Sequence, residues 1–130
     1  MRAIDTNIVV RLLARDDDDQ LRVAENLIGS PFLILPTVVL ESVWVLRTIY
    51  RLSRSELALK LNDLLGNRNA LLVSGDALKR AVNDFSIGGD FGDMLHLALA
   101  EEANAESFAT FDQKLSKAGV RSAVQIETLT

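Results

Sequence analysis

Four acidic residues lie in apolar stretches of the 130-residue chain, namely Asp5, Glu41, Asp93 and Asp112. Carboxylates are seldom placed among apolar residues unless they are paired or bind a metal ion. Hard divalent cations such as Mg²⁺ prefer carboxylate oxygens and water as ligands. The four residues therefore predict one cation site that is assembled from distant parts of the chain.

Two of these acids have a polar residue close by in the sequence. Asp90 precedes Asp93 by three residues, so one of the two can cap a helix while the other is a ligand. We expect Asp93 to be the ligand, because the apolar helix begins there. Thr110 precedes Asp112 by two residues at the end of a predicted strand. Its hydroxyl is expected to support the carboxylate from behind.

Each acid also has a purely structural interpretation. Asp5 and Asp112 could be helix N-caps, since Asp accepts hydrogen bonds from the free amides at a helix start. A glutamate in the middle of a helix, as Glu41 is predicted to be, is normally solvated. The apolar residues on either side of Glu41 favour a functional role instead. His96, the only histidine, is predicted to be a core histidine, and Trp44 to belong to the core or to a subunit interface.

The composition limits the class of protein. Hydrophobic residues make up 48% and charged residues 25% of the chain, as in ordinary globular domains. There is no cysteine, which excludes disulfides and thiolate sites and fits a reducing compartment. The sequence shows neither an apolar signal-peptide region nor a run long enough to span a membrane. We expect one soluble cytoplasmic domain over residues 1–130 that does not enter a membrane.

The net charge of −4 appears unfavourable for binding nucleic acid. The acidic residues are unevenly distributed, however. Eight of the 18 fall in the run Asp16–Asp19 or among the four suspected ligands, which leaves 14 basic residues against 10 acidic ones. The acidic net charge therefore makes a nucleic-acid substrate less favoured but does not exclude it, above all if a divalent cation occupies the acidic site.

Strands and helices are predicted to alternate along the chain, which is typical of a parallel sheet covered by helices on both faces. The carboxyl ends of parallel strands form one rim, where such folds bind their ligands. Asp5, Glu41 and Asp112 are predicted on that rim, and Asp93 could join them. The predicted strands are 2–5, 32–35, 70–73, 107–110 and 123–127, and the predicted helices are 7–14, about 19–28, 36–51, 53–65, 76–85, 93–103 and 112–118.

The acidic residues and their flanks resemble those of the PIN domain. The resemblance rests on Asp5-Thr6-Asn7 after a short strand, the helix Pro36-Thr-Val-Val-Leu-Glu41, the run Asp90-Phe-Gly-Asp-Met-Leu-His-Leu-Ala98 and the closing Ala109-Thr-Phe-Asp112. These segments occur in the order of the family and extend from Asp5 to Asp112. The length and the start of the chain are most similar to VapC-type toxins of bacterial type II toxin–antitoxin systems.

The resemblance implies an α/β fold, namely a three-layer α/β/α sandwich with a central, mainly parallel sheet of about four to five short strands. It also implies a ribonuclease that depends on Mg²⁺ or Mn²⁺, with Asp5, Glu41, Asp93 and Asp112 as its acidic quartet. Thr6, Asn7, Asp90 and Thr110 would be auxiliary residues. The expected partners are an RNA substrate such as tRNA or rRNA, a cognate antitoxin protein and a second copy of the chain. Gly92 is a departure, because the family often has alanine there.

Hard-cation chemistry then assigns roles to the quartet. We expect Asp5 and Asp93 to lead in metal ligation, with Asp112 contributing directly or through water. Glu41 would position or deprotonate the water that attacks the phosphodiester. Without a metal ion the four carboxylates would repel each other, which raises the pKa of some of them.

Two other interpretations stay open. A catalytically inactive PIN fold could act only as a binding module. A receiver-like phosphotransfer domain would need a phosphoacceptor after the third strand, where Asp76 stands, and an acidic pair after the first strand, which the sequence lacks.

Overall fold

The computed structural model describes residues 1–117, 122 and 124–130. Within these residues, six α-helices and five β-strands alternate, and all of the strand pairs are parallel. The predicted α/β class is therefore confirmed. The elements are β1 Arg2–Ala3, α1 Thr6–Ala14, α2 Asp18–Leu27, β2 Phe32–Ile34, α3 Pro36–Thr48, α4 Arg54–Leu65, β3 Ala70–Leu72, α5 Gly75–Ile87, α6 Phe91–Glu102, β4 Ser107–Thr110, a short 3-10 helix Leu115–Lys117, and β5 Gln125–Thr128.

The chain forms two compact units, Met1–Gly75 and Asp76–Thr130. The strands follow this division, because β1, β2 and β3 pair as one sheet and β4 and β5 as another. The sequence predicted that all of the strands belong to one sheet. The described hydrogen bonds instead group them into a three-stranded and a two-stranded sheet. The single domain over residues 1–130 stays a prediction.

In the first unit, β2 lies between β1 and β3. Arg2 pairs with Phe32, which in turn pairs with Ala70. The Ile4 amide extends the pairing beyond β1 by donating to the Leu33 carbonyl at 3.0 Å. Helix α1 packs against α2, α3 and α4. The core is made of apolar side chains from these elements, with Val9, Phe32, Ile34, Val39, Leu46, Leu57 and Leu61 almost wholly buried.

In the second unit, helices α5 and α6 enclose an apolar core together with β4 and β5. The Phe85 and Phe91 rings meet edge to face, with centroids 5.9 Å apart and an interplanar angle of 82°. Leu78, Val82 and Met94 are buried beside them in the same unit. Strand β4 pairs with β5 from Ser107 to Thr110.

Local capping explains several helix boundaries. Ser53 caps α4 as predicted, since its hydroxyl accepts from the Glu56 amide at 3.2 Å and donates to the Glu56 carboxylate at 2.8 Å. Gly66 ends that helix, also as predicted. Helix α6 begins at Phe91, two residues before the predicted start, because Asp90 is its N-cap.

Other boundaries differ from the prediction. Helix α3 ends at Thr48, since Arg51 adopts a left-handed conformation with φ of 56°. The predicted helix 112–118 is reduced to the 3-10 helix Leu115–Lys117. Its predicted end at Ala118 and Gly119 lies outside the described residues, as does the predicted start of the last strand at Ala123.

Two predictions of burial were wrong. His96 is exposed rather than part of the core. Trp44 is 62% exposed on α3, which removes the core interpretation and leaves its role at a subunit interface as a prediction. No helix in the described part of the chain is long and apolar enough to cross a membrane.

Candidate functional site

Asp5 stands at the turn between β1 and α1. It is the N-cap of α1, and its Oδ1 accepts a hydrogen bond from the Thr6 amide at 2.8 Å. Thr6 is buried, whereas Asp5 and the following Asn7 are exposed. A carboxylate has two oxygens and about four acceptor positions, so one capping bond leaves capacity for a cation. The capping role is therefore present and is compatible with metal ligation.

Glu41 is exposed on α3, although its neighbours are apolar. The helix turns Val39 and Val43 into the core, and the Ser42 hydroxyl, which is wholly buried, donates to the Val38 carbonyl at 2.7 Å. Glu41 falls on the opposite side, since consecutive residues of a helix point about 100° apart. The apolar residues on either side of Glu41 therefore do not indicate burial of its side chain, which is solvated.

The first unit brings Asp5 and Glu41 to the same edge of its sheet. Asp5 follows β1, and Glu41 is in the helix that follows β2, which pairs in parallel with β1. The helices that carry them, α1 and α3, pack against each other. This edge is the predicted rim. Asp112 follows β4, which pairs only with β5 among the described strands, so strand pairing does not place Asp112 on the same rim.

Asp90 caps α6 in the second unit, whereas the metal-binding role of Asp93 stays a prediction. Asp90 is the N-cap of α6, and its Oδ1 accepts from the Asp93 amide at 3.0 Å. Asp90 is exposed, whereas Asp93 is half-buried in the first turn of the helix. The capping acid thus holds the backbone of the acid that was predicted to bind metal.

The surroundings of Asp93 change the pKa of its carboxyl group. Burial raises the pKa of Asp93 above its usual value of 3.8, and the charges of Asp90 and Asp112 raise it further. His96 acts in the opposite direction and lowers the Asp93 pKa. Asp93 and Asp112, which are 19 positions apart in the sequence, are therefore electrostatic neighbours within the second unit.

Asp112 lies in a tightly hydrogen-bonded turn after β4. The Asp112 amide donates to Thr110 Oγ1 at 3.0 Å, and the Lys114 amide donates to Asp112 Oδ1 at 2.9 Å. Thr110 was expected to support the carboxylate, and the structure shows it supporting the Asp112 backbone. Among the residues described up to Lys117, the turn is followed by the 3-10 helix Leu115–Lys117 and not by the α-helix that the N-cap interpretation would require.

Two aromatic side chains near these acids were missed as functional candidates. His96 is three residues after Asp93 on α6, and its ring stacks on that of Phe108 with centroids 6.3 Å apart and planes 15° apart. Phe111, beside Asp112, is 75% exposed. The sequence of α6 is apolar almost all round, so its periodicity did not indicate that His96 lies on the exposed side. Phe111 follows a strand that was predicted to be buried, so its exposure was not expected either.

The donor chemistry of the site fits a hard divalent cation. All of the candidate ligands are carboxylates, and Mg²⁺ is usually held by one or two protein carboxylates together with several waters. Asp93 and Asp112 supply two carboxylates within the second unit, and the charge of Asp112 acts on Asp93. Among the residues that the structure describes, no three ligand side chains converge as a preformed metal cluster.

The family model of the PIN domain matches residues 3–120, which is most of the chain. The chain belongs to the PIN domain family. PIN domains are typically nucleases, and PIN nucleases generally use divalent metal ions. The match extends through both compact units and includes all four acids of the predicted quartet. It also removes the basis for a receiver-like phosphotransfer domain. No curated protein matches the chain.

Proposed function

We propose that this PIN domain is a metal-dependent endoribonuclease that hydrolyses RNA phosphodiester bonds. The observation that supports it best is the half-buried Asp93, whose pKa is raised by burial and by the neighbouring charges of Asp90 and Asp112. Carboxylates with a perturbed pKa are concentrated at catalytic and metal sites. Membership in a family of nucleases gives the reaction class.

The proposed metal ligands are the acids that the sequence predicted. Asp5 and Asp93 are the leading ligands for Mg²⁺ or Mn²⁺, and Asp112 contributes directly or through water. When bound, the cation would make water a better nucleophile and neutralise the charge that develops on the phosphodiester. Glu41, exposed on α3, would position or deprotonate the attacking water.

The auxiliary residues hold the ligands in place. Asp90 holds the amide of Asp93, and Thr110 holds the amide of Asp112. Thr6 and Asn7 continue from Asp5 into the first turn of α1. The resemblance to PIN-domain ribonucleases implies products with 5′-phosphate and 3′-hydroxyl ends.

We further propose that the protein is the toxin of a VapC-type toxin–antitoxin pair. This rests on the sequence resemblance, which extends from Asp5 to Asp112. A cognate antitoxin would then inhibit the nuclease, the chain would act as a cytoplasmic homodimer, and tRNA or rRNA would be the substrate. Single-stranded or looped RNA fits best, because proteins read RNA sequence mainly at unpaired bases.

The test is cleavage of total RNA and of tRNA by the purified chain, freed of any antitoxin, in Mg²⁺ or Mn²⁺ and then in EDTA. Asp5→Asn and Asp93→Asn each remove a proposed metal ligand, so each should reduce the cleavage rate by more than the roughly 10- to 100-fold that the loss of an outer partner of a metal ligand costs. Asp19→Asn is the control for Asp5→Asn, and Asp76→Asn is the control for Asp93→Asn. Each control removes an exposed aspartate from the first turn of a helix in the same unit as the acid it is compared with. Cleavage that survives Asp93→Asn or EDTA would refute the proposed site.

A binding module without catalysis is the second candidate. It is favoured by the lack of a preformed cluster of three ligands among the described residues. Saturable RNA binding by the wild-type chain, with no cleavage of any RNA in Mg²⁺ or Mn²⁺, would establish it.

A further inference from the structure

Phe111 is exposed in a way that the other phenylalanines of the chain are not. The chain has five, and 75% of Phe111 is accessible to water. Phe32, Phe85 and Phe91 are each at most 3% exposed, and Phe108 is half-buried. An exposed aromatic ring forgoes the free energy of burial that the others gain, so its position calls for an explanation outside the core.

The backbone on both sides of the ring is fixed. The Thr110 carbonyl accepts from the Leu129 amide at 2.7 Å, and the Thr110 hydroxyl accepts from the Asp112 amide at 3.0 Å. The Asp112 carboxylate in turn accepts from the Lys114 amide at 2.9 Å. Phe111 is therefore presented from a hydrogen-bonded turn, directly beside a proposed catalytic acid.

The surroundings of the ring favour a nucleobase over a protein partner. The residues that follow it, Asp112, Gln113 and Lys114, are all exposed and polar. These neighbours along the chain add no apolar area to the ring, whereas protein docking requires a broad apolar patch. One aromatic ring matches the face of one base, and Lys114 supplies a positive charge for the adjoining phosphate.

We propose that Phe111 stacks on an unpaired base of single-stranded RNA next to the phosphodiester that is cleaved. The inference rests on the proposed ribonuclease function and adds a residue that positions the RNA. A base inside a duplex has both faces covered by its neighbours, so the ring selects strands with an accessible base. Phe111 is a substrate-positioning residue, and the purine or pyrimidine preference of the site would depend on stacking strength.

The experiment uses tryptophan fluorescence, since Trp44 is the only tryptophan of the chain. The reporter protein carries Trp44→Phe and Phe111→Trp. The matched control carries Trp44→Phe and Ile87→Trp, because Ile87 is an equally exposed apolar residue of the same unit, at 79%. Each is mixed in Mg²⁺ with single-stranded oligoadenylate of about ten nucleotides, and in parallel with the same strand annealed to oligouridylate. Stopped-flow mixing records the signal before turnover.

Stacking predicts saturable quenching of the tryptophan at position 111 by the single strand, with little quenching by the duplex and none at position 87. In an otherwise wild-type chain, Phe111→Ala should weaken single-strand binding by about 5- to 100-fold, the range expected for one base–aromatic stack. Phe111→Tyr should preserve binding, and Phe111→Leu should behave like Phe111→Ala although it keeps an apolar side chain. Ile87→Ala should have no effect.

The outcomes separate this proposal from the nuclease itself. Binding and cleavage of RNA without quenching at position 111 would overturn the stacking and leave the nuclease intact. Quenching at position 111 in a chain that does not cleave would support the stacking and refute the nuclease. A shift of the fluorescence with protein concentration in the absence of RNA would identify a contact with a second copy and overturn the stacking. A chain that neither binds nor cleaves RNA would refute both.

Discussion

The Asp93 amide donates a hydrogen bond to the Asp90 carboxylate across the first turn of α6, at 3.0 Å. Two acids three residues apart thereby have different tasks. Asp90 satisfies the helix end, and its charge also raises the pKa of Asp93. The capping interaction and the acidity of the candidate ligand are therefore coupled through one side chain.

Substitution of Asp90 separates these two effects. Asp90→Asn keeps a capping oxygen but removes the charge, so we expect nearly wild-type stability and a lower pKa for Asp93. Asp90→Ala removes both and should cost about 1 kcal/mol of unfolding free energy, as lost N-caps do. Urea unfolding measures the stability, and NMR titration of the Asp93 side chain measures the pKa. An unchanged Asp93 pKa in Asp90→Asn would show that Asp90 acts through structure alone.

Asp93 should make the stability of the metal-free protein depend on pH. Its pKa is raised in the folded state, so the folded protein binds more protons than the unfolded chain as the pH rises above 3.8. Its contribution is most favourable below that pH and is lost as the pH rises through the raised pKa. Asp93→Asn should therefore have a higher Tm than wild type at neutral pH in EDTA, with the difference disappearing below about pH 3.8.

Divalent cations should reverse the order of the Tm values of wild type and Asp93→Asn. Mg²⁺ bound to the native carboxylates stabilises the protein by mass action, by about 2.7 kcal/mol at a concentration of one hundred times Kd. Wild type should gain in Tm on addition of Mg²⁺, and Asp93→Asn should gain much less. Asp76→Asn is the control and should respond like wild type. An equal rise in all three proteins would indicate a cation site elsewhere.

Thr110 provides a test of positioning without loss of charge. Thr110→Val removes the acceptor for the Asp112 amide but keeps the shape of the side chain, and it should cost about 0.5–1.5 kcal/mol of stability. We expect cleavage to fall by about tenfold to a hundredfold, as for other residues that orient a ligand from behind. Thr110→Ser retains the hydroxyl and should restore most of the rate. Full activity of Thr110→Val would exclude a positioning role.

The parts of the fold that depend on neighbouring residues could be predicted from the sequence. The caps Ser53 and Asp90 follow from spacing within one helical turn, and the structure confirms both. Strand order and burial depend on distant partners. The apolar neighbours of Glu41 therefore gave no measure of its exposure, and β4 could not be assigned to a separate pair with β5.

Gly89, one residue before the Asp90 cap, has no room for a side chain. A Cβ added there would lie 2.5 Å from the sulfur of Met94, and Met94 is only 2% exposed and cannot swing into solvent. The sequence alone indicated a flexible Gly88-Gly89 turn, whereas the structure shows that packing constrains Gly89. A substitution at Gly89 would therefore disturb the packing of Met94 at the start of α6, although Gly89 carries no charge. A mutational screen confined to the carboxylates would overlook this position.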